Sequence, residues 1–181
     1  MRAIRLRTEY LKNPMGIDVR QPRLMWNCGD WNELIDAAGA KQTAWQIVTD
    51  KWDSGKVESS SMQAVYPLET ESSERVTWKI RLWDGNGEAG EWSESFFEMG
   101  LLQASDWKAK WITGDYVPRK SMRYPVDCFR KEVALVKPVA SARLYATACG
   151  LYEAKLNGRK AGAFCFAYDN NRIVEKMIKS D

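Results

Sequence analysis

The chain has 181 residues with 27 basic and 24 acidic side chains, a formal net charge of +3, 45% hydrophobic and 28% charged residues, nine tryptophans and no histidine. That apolar share supports a packed core, and no run approaches the ~18 to 20 apolar residues of a membrane span. The missing histidine excludes, within this chain, any mechanism built on an imidazole base or a histidine metal ligand.

At roughly 150 residues per domain, the length allows one ordinary domain or two small ones. Arg2, Arg5 and Arg7 make a basic start. They are not followed by the ~7 to 15 apolar residues of a secretory signal. The beginning therefore reads as a mature strand, and a cytoplasmic location is the default expectation. No block of about five like charges occurs, so nothing supports a nucleic-acid partner.

In chain order, residues 2–10 alternate loosely, and Asn13-Pro14-Met15-Gly16 breaks them with turn chemistry. Residues 22–26 form a short apolar segment ending in Trp26, and residues 29–39 read as a loop or a single helical turn. Residues 42–49 alternate, with Thr43, Trp45, Ile47 and Thr49 opposite Ala44, Gln46 and Val48. Residues 52–56 make a turn. The clearest strand spans 75–83, with Val76, Trp78, Ile80 and Leu82 on one face and Thr77, Lys79 and Arg81 on the other. Asp84-Gly85-Asn86-Gly87 supplies a tight turn, and residues 92–98 return as the partner strand. Short strands at intervals of about 8 to 12 residues predict an all-β sandwich.

A second unit starts after Gly100. Trp107 and Trp111 lie on one face of an extended segment, residues 116–125 form a polar loop, and residues 129–135 and 140–147 are extended. Residues 152–156 lead into Asn157-Gly158, a hairpin signal, with the return strand beginning at Arg159. The tail reads as either a frayed terminus or a short helix capped by Asp169 or Asn170, with Ile173, Val174, Met177 and Ile178 on one face. Cys28, Cys128, Cys149 and Cys165 form no C-x-x-C pair and read as free thiols.

Several strings resemble bacterial α-L-rhamnosidases. Leu11-Lys12-Asn13-Pro14-Met15-Gly16-Ile17-Asp18 is similar to their L-x-N-P-x-G-I-D opening, and Pro22-Arg23-Leu24-Met25-Trp26 to their P-R-hydrophobic-x-W. Further similar pieces are Gln42-Thr43-Ala44-Trp45-Gln46-Ile47, Trp52-Asp53-Ser54-Gly55-Lys56-Val57, Trp78-Lys79-Ile80-Arg81-Leu82-Trp83-Asp84 and Trp92-Ser93-Glu94. Phe97-Glu98-Met99-Gly100-Leu101-Leu102, Trp107-Lys108-Ala109-Lys110-Trp111-Ile112 and Phe129-Arg130-Lys131-Glu132 continue in family order. Ser141-Ala142-Arg143-Leu144-Tyr145, Gly150-Leu151-Tyr152-Glu153 and Leu156-Asn157-Gly158 close the series.

The resemblance implies a fibronectin-type-III-like sandwich over residues 1–100. It further implies the N-terminal part of a second sandwich, similar to carbohydrate-binding modules, over 101–181. The catalytic (α/α)-barrel of such enzymes lies far downstream. They hydrolyse terminal α-L-rhamnose with inversion, which needs a carboxylic acid and a carboxylate about 6.5 to 9.5 Å apart. None of the matching strings carries that pair, so no catalytic, cofactor-binding or metal-binding residue is assigned and no cofactor is expected. After Gly162 the family's usual acidic, proline-bearing segment is replaced by Ala163-Phe164-Cys165-Phe166-Ala167-Tyr168, which leads to the expectation of truncation near residue 163.

The expected role is accessory, with no activity of the chain alone. The alternative is a free-standing carbohydrate- or protein-binding module. The expected partners are rhamnosylated glycans through the parent enzyme, with self-association through uncovered strand edges and neither nucleic acid nor membrane. Trp26, Trp45 and Trp78 are expected in the core, Trp31, Trp52 and Trp92 near turns, and Trp107 and Trp111 packed at a domain junction. No sugar site is assigned to any tryptophan. Glu69 with Glu71, and Glu91 with Glu94, are expected on solvated surface.

Overall fold

The computed structural model describes residues 1–29, 41–117, 119, 121–167 and 177–178. Its strands are β1 (Arg2–Thr8), β2 (Met15–Ile17), β3 (Arg23–Gly29), β4 (Ala44–Thr49), β5 (Val57–Glu58), β6 (Gln63–Val65), β7 (Arg75–Trp83), β8 (Ser93–Met99), β9 (Ala142–Arg143), β10 (Gly150–Leu156), β11 (Arg159–Ala167) and β12 (Met177–Ile178). One 3-10 turn, Ala104–Asp106, follows the eighth strand. The chain is all-β, as its alternating apolar pattern predicts.

The first eight strands make two sheets, a three-stranded one ordered β1-β3-β6 and a five-stranded one ordered β2-β8-β7-β4-β5. The period-two face of β7 decides which way the larger sheet points. Val76, Trp78, Ile80 and Leu82 are all buried, whereas Arg75, Thr77 and Lys79 are exposed. Facing them, Leu24 and Trp26 of β3 and Ala3 of β1 complete the core with Trp45, Ile47, Tyr66, Phe97 and Met99. Edge-to-face aromatic pairs bridge it, Trp26 against Trp45 at 5.7 Å and Tyr66 against Phe97 at 5.7 Å.

The chain changes sheets between β1 and β2. Glu9, Tyr10 and Asn13 all take positive φ there, so the segment folds back before β2 joins β8 in parallel, with Met15 opposite Glu98. Residues 13–16 thus combine the expected turn with the start of a strand. The expected hairpin partner is observed, Arg75 of β7 opposite Glu98 of β8 and Ile80 opposite Ser93. At its tip the Gly87 amide donates to Asp84 O at 3.1 Å, and Gly87 takes φ 78, a conformation disfavoured for any residue with a Cβ.

Several expectations for the second unit change. The β10–β11 hairpin forms as read, with Asn157 and Gly158 at φ 48 and 79, the pair of positive angles a two-residue turn requires. Residues 107–112 and 129–135, however, join no strand ladder, because no neighbouring segment offers them backbone partners among the described residues. Of 140–147 only Ala142–Arg143 is a strand. The expected C-terminal helix falls mostly outside the described residues. Its two described members, Met177 and Ile178, pair with Arg143 and Ala142 as β12, so there a ladder replaces the helix. Trp31 and the expected loop at 30–39 also lie outside the described residues.

Candidate functional site

The most functional-looking feature lies where β9 meets the five-stranded sheet. Odd positions of β7 and even positions of β8 face away from the core, so Arg75, Phe96 and Glu98 share the outer surface of the five-stranded sheet. An outward glutamate is expected to be solvated, yet Glu98 keeps only 3% of its surface. Arg143 of β9 covers it, donating from Nη2 to Oε2 at 2.7 Å and from Nε to Oε1. Arg75 Nη1 stands 3.6 Å from the same Oε2 and lays its guanidinium over the Phe96 ring at 3.7 Å. The two-pronged Arg143 contact is the geometry that makes guanidinium–carboxylate pairs both strong and directional.

Around this pair Ser73, Ser141, Ala142 and Tyr145 complete an open cleft of about 260 Å³. The Tyr145 hydroxyl donates to Ser73 Oγ at 2.7 Å, a second link between the sandwich and the chain beyond it. A third lies at the exit of the sandwich. Ser72 Oγ accepts from the Leu102 amide at 2.8 Å and donates to Asp106, pinning the 3-10 turn.

Chemically the cleft is a fastening. Its lining holds one carboxylate, and that carboxylate is engaged by two arginines. The paired carboxyls of an inverting glycosidase are not assembled there. Glu69, Glu71, Glu91 and Glu94 are exposed, and the last two pair with Arg2 and Lys79 on the surface. Among the described residues no group of three or more Cys, Asp or Glu side chains could hold a metal ion. No described helix is long and apolar enough to cross a membrane.

Cys28, Cys128 and Cys149 are free thiols, as read, and burial pushes the Cys28 thiol upward, away from reactivity. The Cys165 side chain lies outside the described set. Trp26, Trp45 and Trp78 are core residues, and Trp52 packs against the core edge-on to Tyr66. Trp111 is 70% exposed, so it does not pack at the junction as expected. Glu98 went unassigned because the side chain that covers it, Arg143, lies 45 residues away in the sequence.

Comparison with known proteins agrees with this architecture. Residues 3–103 match the family described as Rha78A-like, N-terminal immunoglobulin domain, and residues 137–174 match the α-L-rhamnosidase N-terminal domain. An α-L-rhamnosidase of Alteromonas sp. (strain LOR) is 34% identical over 170 residues, covering 83% of this chain and 18% of that protein. The structure of an Aspergillus terreus α-L-rhamnosidase superposes with a TM-score of 0.63 at 27% identity, over 89% of this chain and 19% of the other. The L-rhamnose complex of a Streptomyces avermitilis α-L-rhamnosidase gives 0.56 at 26% identity, over 98% and 20%. The chain therefore spans about a fifth of the length of these relatives, and it belongs to the α-L-rhamnosidase family as an accessory N-terminal region that opens with a Rha78A-like immunoglobulin domain.

Proposed function

We propose that the chain is a scaffold of an α-L-rhamnosidase-like hydrolase, whose parent reaction is inverting hydrolysis of terminal α-L-rhamnosides. In this reading residues 1–100 are one sandwich and residues 101–181 the N-terminal part of another, and the first holds the second in a set orientation. The observation that carries it is the burial of Glu98 beneath Arg143. An ion pair that bridges two units and is withdrawn from water fixes their relative position more than it adds stability.

Hydrogen exchange tests the reading. In Glu98→Gln the amides of Ala142 and Arg143 should exchange faster, while those of β7 remain protected. Equal protection at Ala142 and Arg143 in both proteins would sink it. The chain alone should release no product from an aryl α-L-rhamnoside.

Rhamnosylated glycans are then the partners of the whole enzyme. Self-association of the chain is supported by exposed Trp111, Ile112, Phe129, Leu135 and Val136 and by the two-stranded β10–β11 sheet. Size-exclusion chromatography across a concentration series reads it out.

A further inference from the structure

On the outer face of the five-stranded sheet, at the end away from Glu98, four side chains form a continuous row across the strands. Asp53 Oδ1 accepts from Gln46 Nε2 at 2.7 Å. Gln46 Oε1 accepts from Arg81 Nε at 3.0 Å and Nη2 at 2.7 Å. The Arg81 guanidinium stands 4.7 Å from the centroid of Trp92 and 4.8 Å from that of Trp83. The register explains the row: Gln46 of β4 lies opposite Arg81 of β7, and Arg81 lies beside Trp92, which directly precedes β8. Asp53 lies on the segment bridged to β4, so at about 4.8 Å per strand the row crosses roughly 14 Å of sheet.

The two tryptophans on either side of Arg81, Trp92 across the strands and Trp83 along β7, differ. Trp83 is 8% exposed, roofed by Arg81 and by Lys56 at 5.4 Å, and its indole is a structural floor. Trp92 remains 38% exposed. Arg81 has five N–H donors, two of which go to Gln46, and the remaining three have no partner among the described residues. Asp53 Oδ1 also accepts from the Gly55 amide at 2.8 Å, whereas Oδ2 accepts nothing among the described residues. Asp53 is exposed, and the Gln46 hydrogen bond holds its carboxyl below the usual carboxylate range, so it stays an acceptor at neutral pH.

We propose that this row is a saccharide-binding surface, with Trp92 as the stacking platform and Arg81 and Asp53 as the hydroxyl-reading groups. A pyranose ring has an apolar C–H face that lies flat on an indole and a rim of hydroxyls that both donate and accept. The row offers a part-exposed indole, guanidinium donors and a carboxylate oxygen unpaired among the described residues, ordered by the hydrogen bonds joining Asp53, Gln46 and Arg81 and by the Arg81 contact with Trp92. Such preorganisation lowers the ordering cost of binding. A small anion would meet Asp53 and nearby Glu94, and an apolar peptide would leave the polar members of the row unpaired. A neutral glycan satisfies both. Membership of the α-L-rhamnosidase family guides only the choice of probes, and failure here would leave the Glu98 fastening untouched.

Affinity electrophoresis of the full chain in gels containing a rhamnose-bearing pectic polysaccharide, xylan or dextran tests the proposal. The expected result is retardation by at least one of the three, weakened about tenfold in Trp92→Ala and largely kept in Trp92→Tyr. Thermal melts establish that each variant is folded. If Trp92→Ala fails to fold, Asp53→Ala, at an exposed carboxylate, should show the same weakening. Unretarded wild-type protein in all three gels overturns the proposal, as does retardation unchanged in the folded Trp92 and Asp53 variants.

Discussion

The indole Nε1 of Trp26 donates to Gln42 Oε1 at 2.9 Å, joining two side chains that are both within the buried interior. The same amide oxygen accepts from Cys28 Sγ at 3.4 Å, and its nitrogen donates to Ser59 O at 2.9 Å and Ser61 O at 2.8 Å. One glutamine therefore satisfies a core tryptophan on β3 and two carbonyls of the segment between β5 and β6. Gln42→Leu would leave the indole N–H and both carbonyls without their partner. The expected cost is about 3 kcal/mol, since each buried polar group left unpaired costs ~1 to 3 kcal/mol. A urea titration followed by tryptophan fluorescence checks it, and a midpoint unchanged from wild type would show that water reaches these groups.

Arg143→Ala removes the two-pronged partner of Glu98, whose carboxylate stays almost fully buried beside Arg75. Breaking a fully buried pair costs ~3 to 5 kcal/mol. Arg143 keeps 20% of its side-chain surface and Arg75 40%, so about 2 kcal/mol is the expected loss. Arg143→Lys should recover only part of it, because an ammonium cannot reproduce the two-pronged contact. Limited proteolysis between residues 101 and 141 reads the difference, with the order of cleavage rates Ala, Lys, wild type.

Glu9 and Arg23 tie the β1–β2 turn to β3. Arg23 Nη2 stands 2.5 Å from Glu9 Oε2, and the Arg23 amide donates to Oε1 at 2.7 Å. The Arg23 side-chain hydrogen bonds hold the Glu9 carboxyl below its ordinary value of 4.5. A depressed folded-state value means that this stabilisation is fully present above about pH 4.5 and is lost as pH falls through the lower value. Glu9→Gln should therefore be less stable than wild type at neutral pH and converge with it in acid. Denaturation midpoints of both proteins measured stepwise from pH 7 downward decide the matter: the gap should shrink steadily as pH falls below about 4.5, and a gap that does not shrink would contradict the linkage.

Gly158 holds φ 79 at the second position of the β10–β11 turn, and a Cβ there would meet nothing within 4 Å. The penalty for a larger residue is then conformational alone. Gly158→Ala should cost about 1 kcal/mol. Faster hydrogen exchange confined to β10 and β11 amides is the expected signature, with the sandwich amides unaffected.

How far these features were legible in the residues depends on how local their causes are. β7 and its hairpin to β8 could be read because alternation and turn chemistry lie within about 25 residues of chain. β5 and β6, two and three residues long, left no periodic trace and exist because β4 and β3 offer them backbone partners. The two-residue β9 has the same origin, its ladder supplied by Met177 and Ile178.

The sequence by itself determined the all-β class, the membership of the core tryptophans Trp26, Trp45 and Trp78, and the family. These rest on period-two patterning and on strings of residues in order. Only the tertiary structure decided what happens on the outer face of the five-stranded sheet. By alternation Trp83, Glu98, Arg81 and Trp92 are all outward residues. Trp83 is nevertheless roofed by Lys56 and Arg81, Glu98 is sealed by Arg143, and Trp92 is left open to solvent. Each outcome depends on side chains or open space supplied from beyond the residue's own strand, and burial of that kind has no period along the chain.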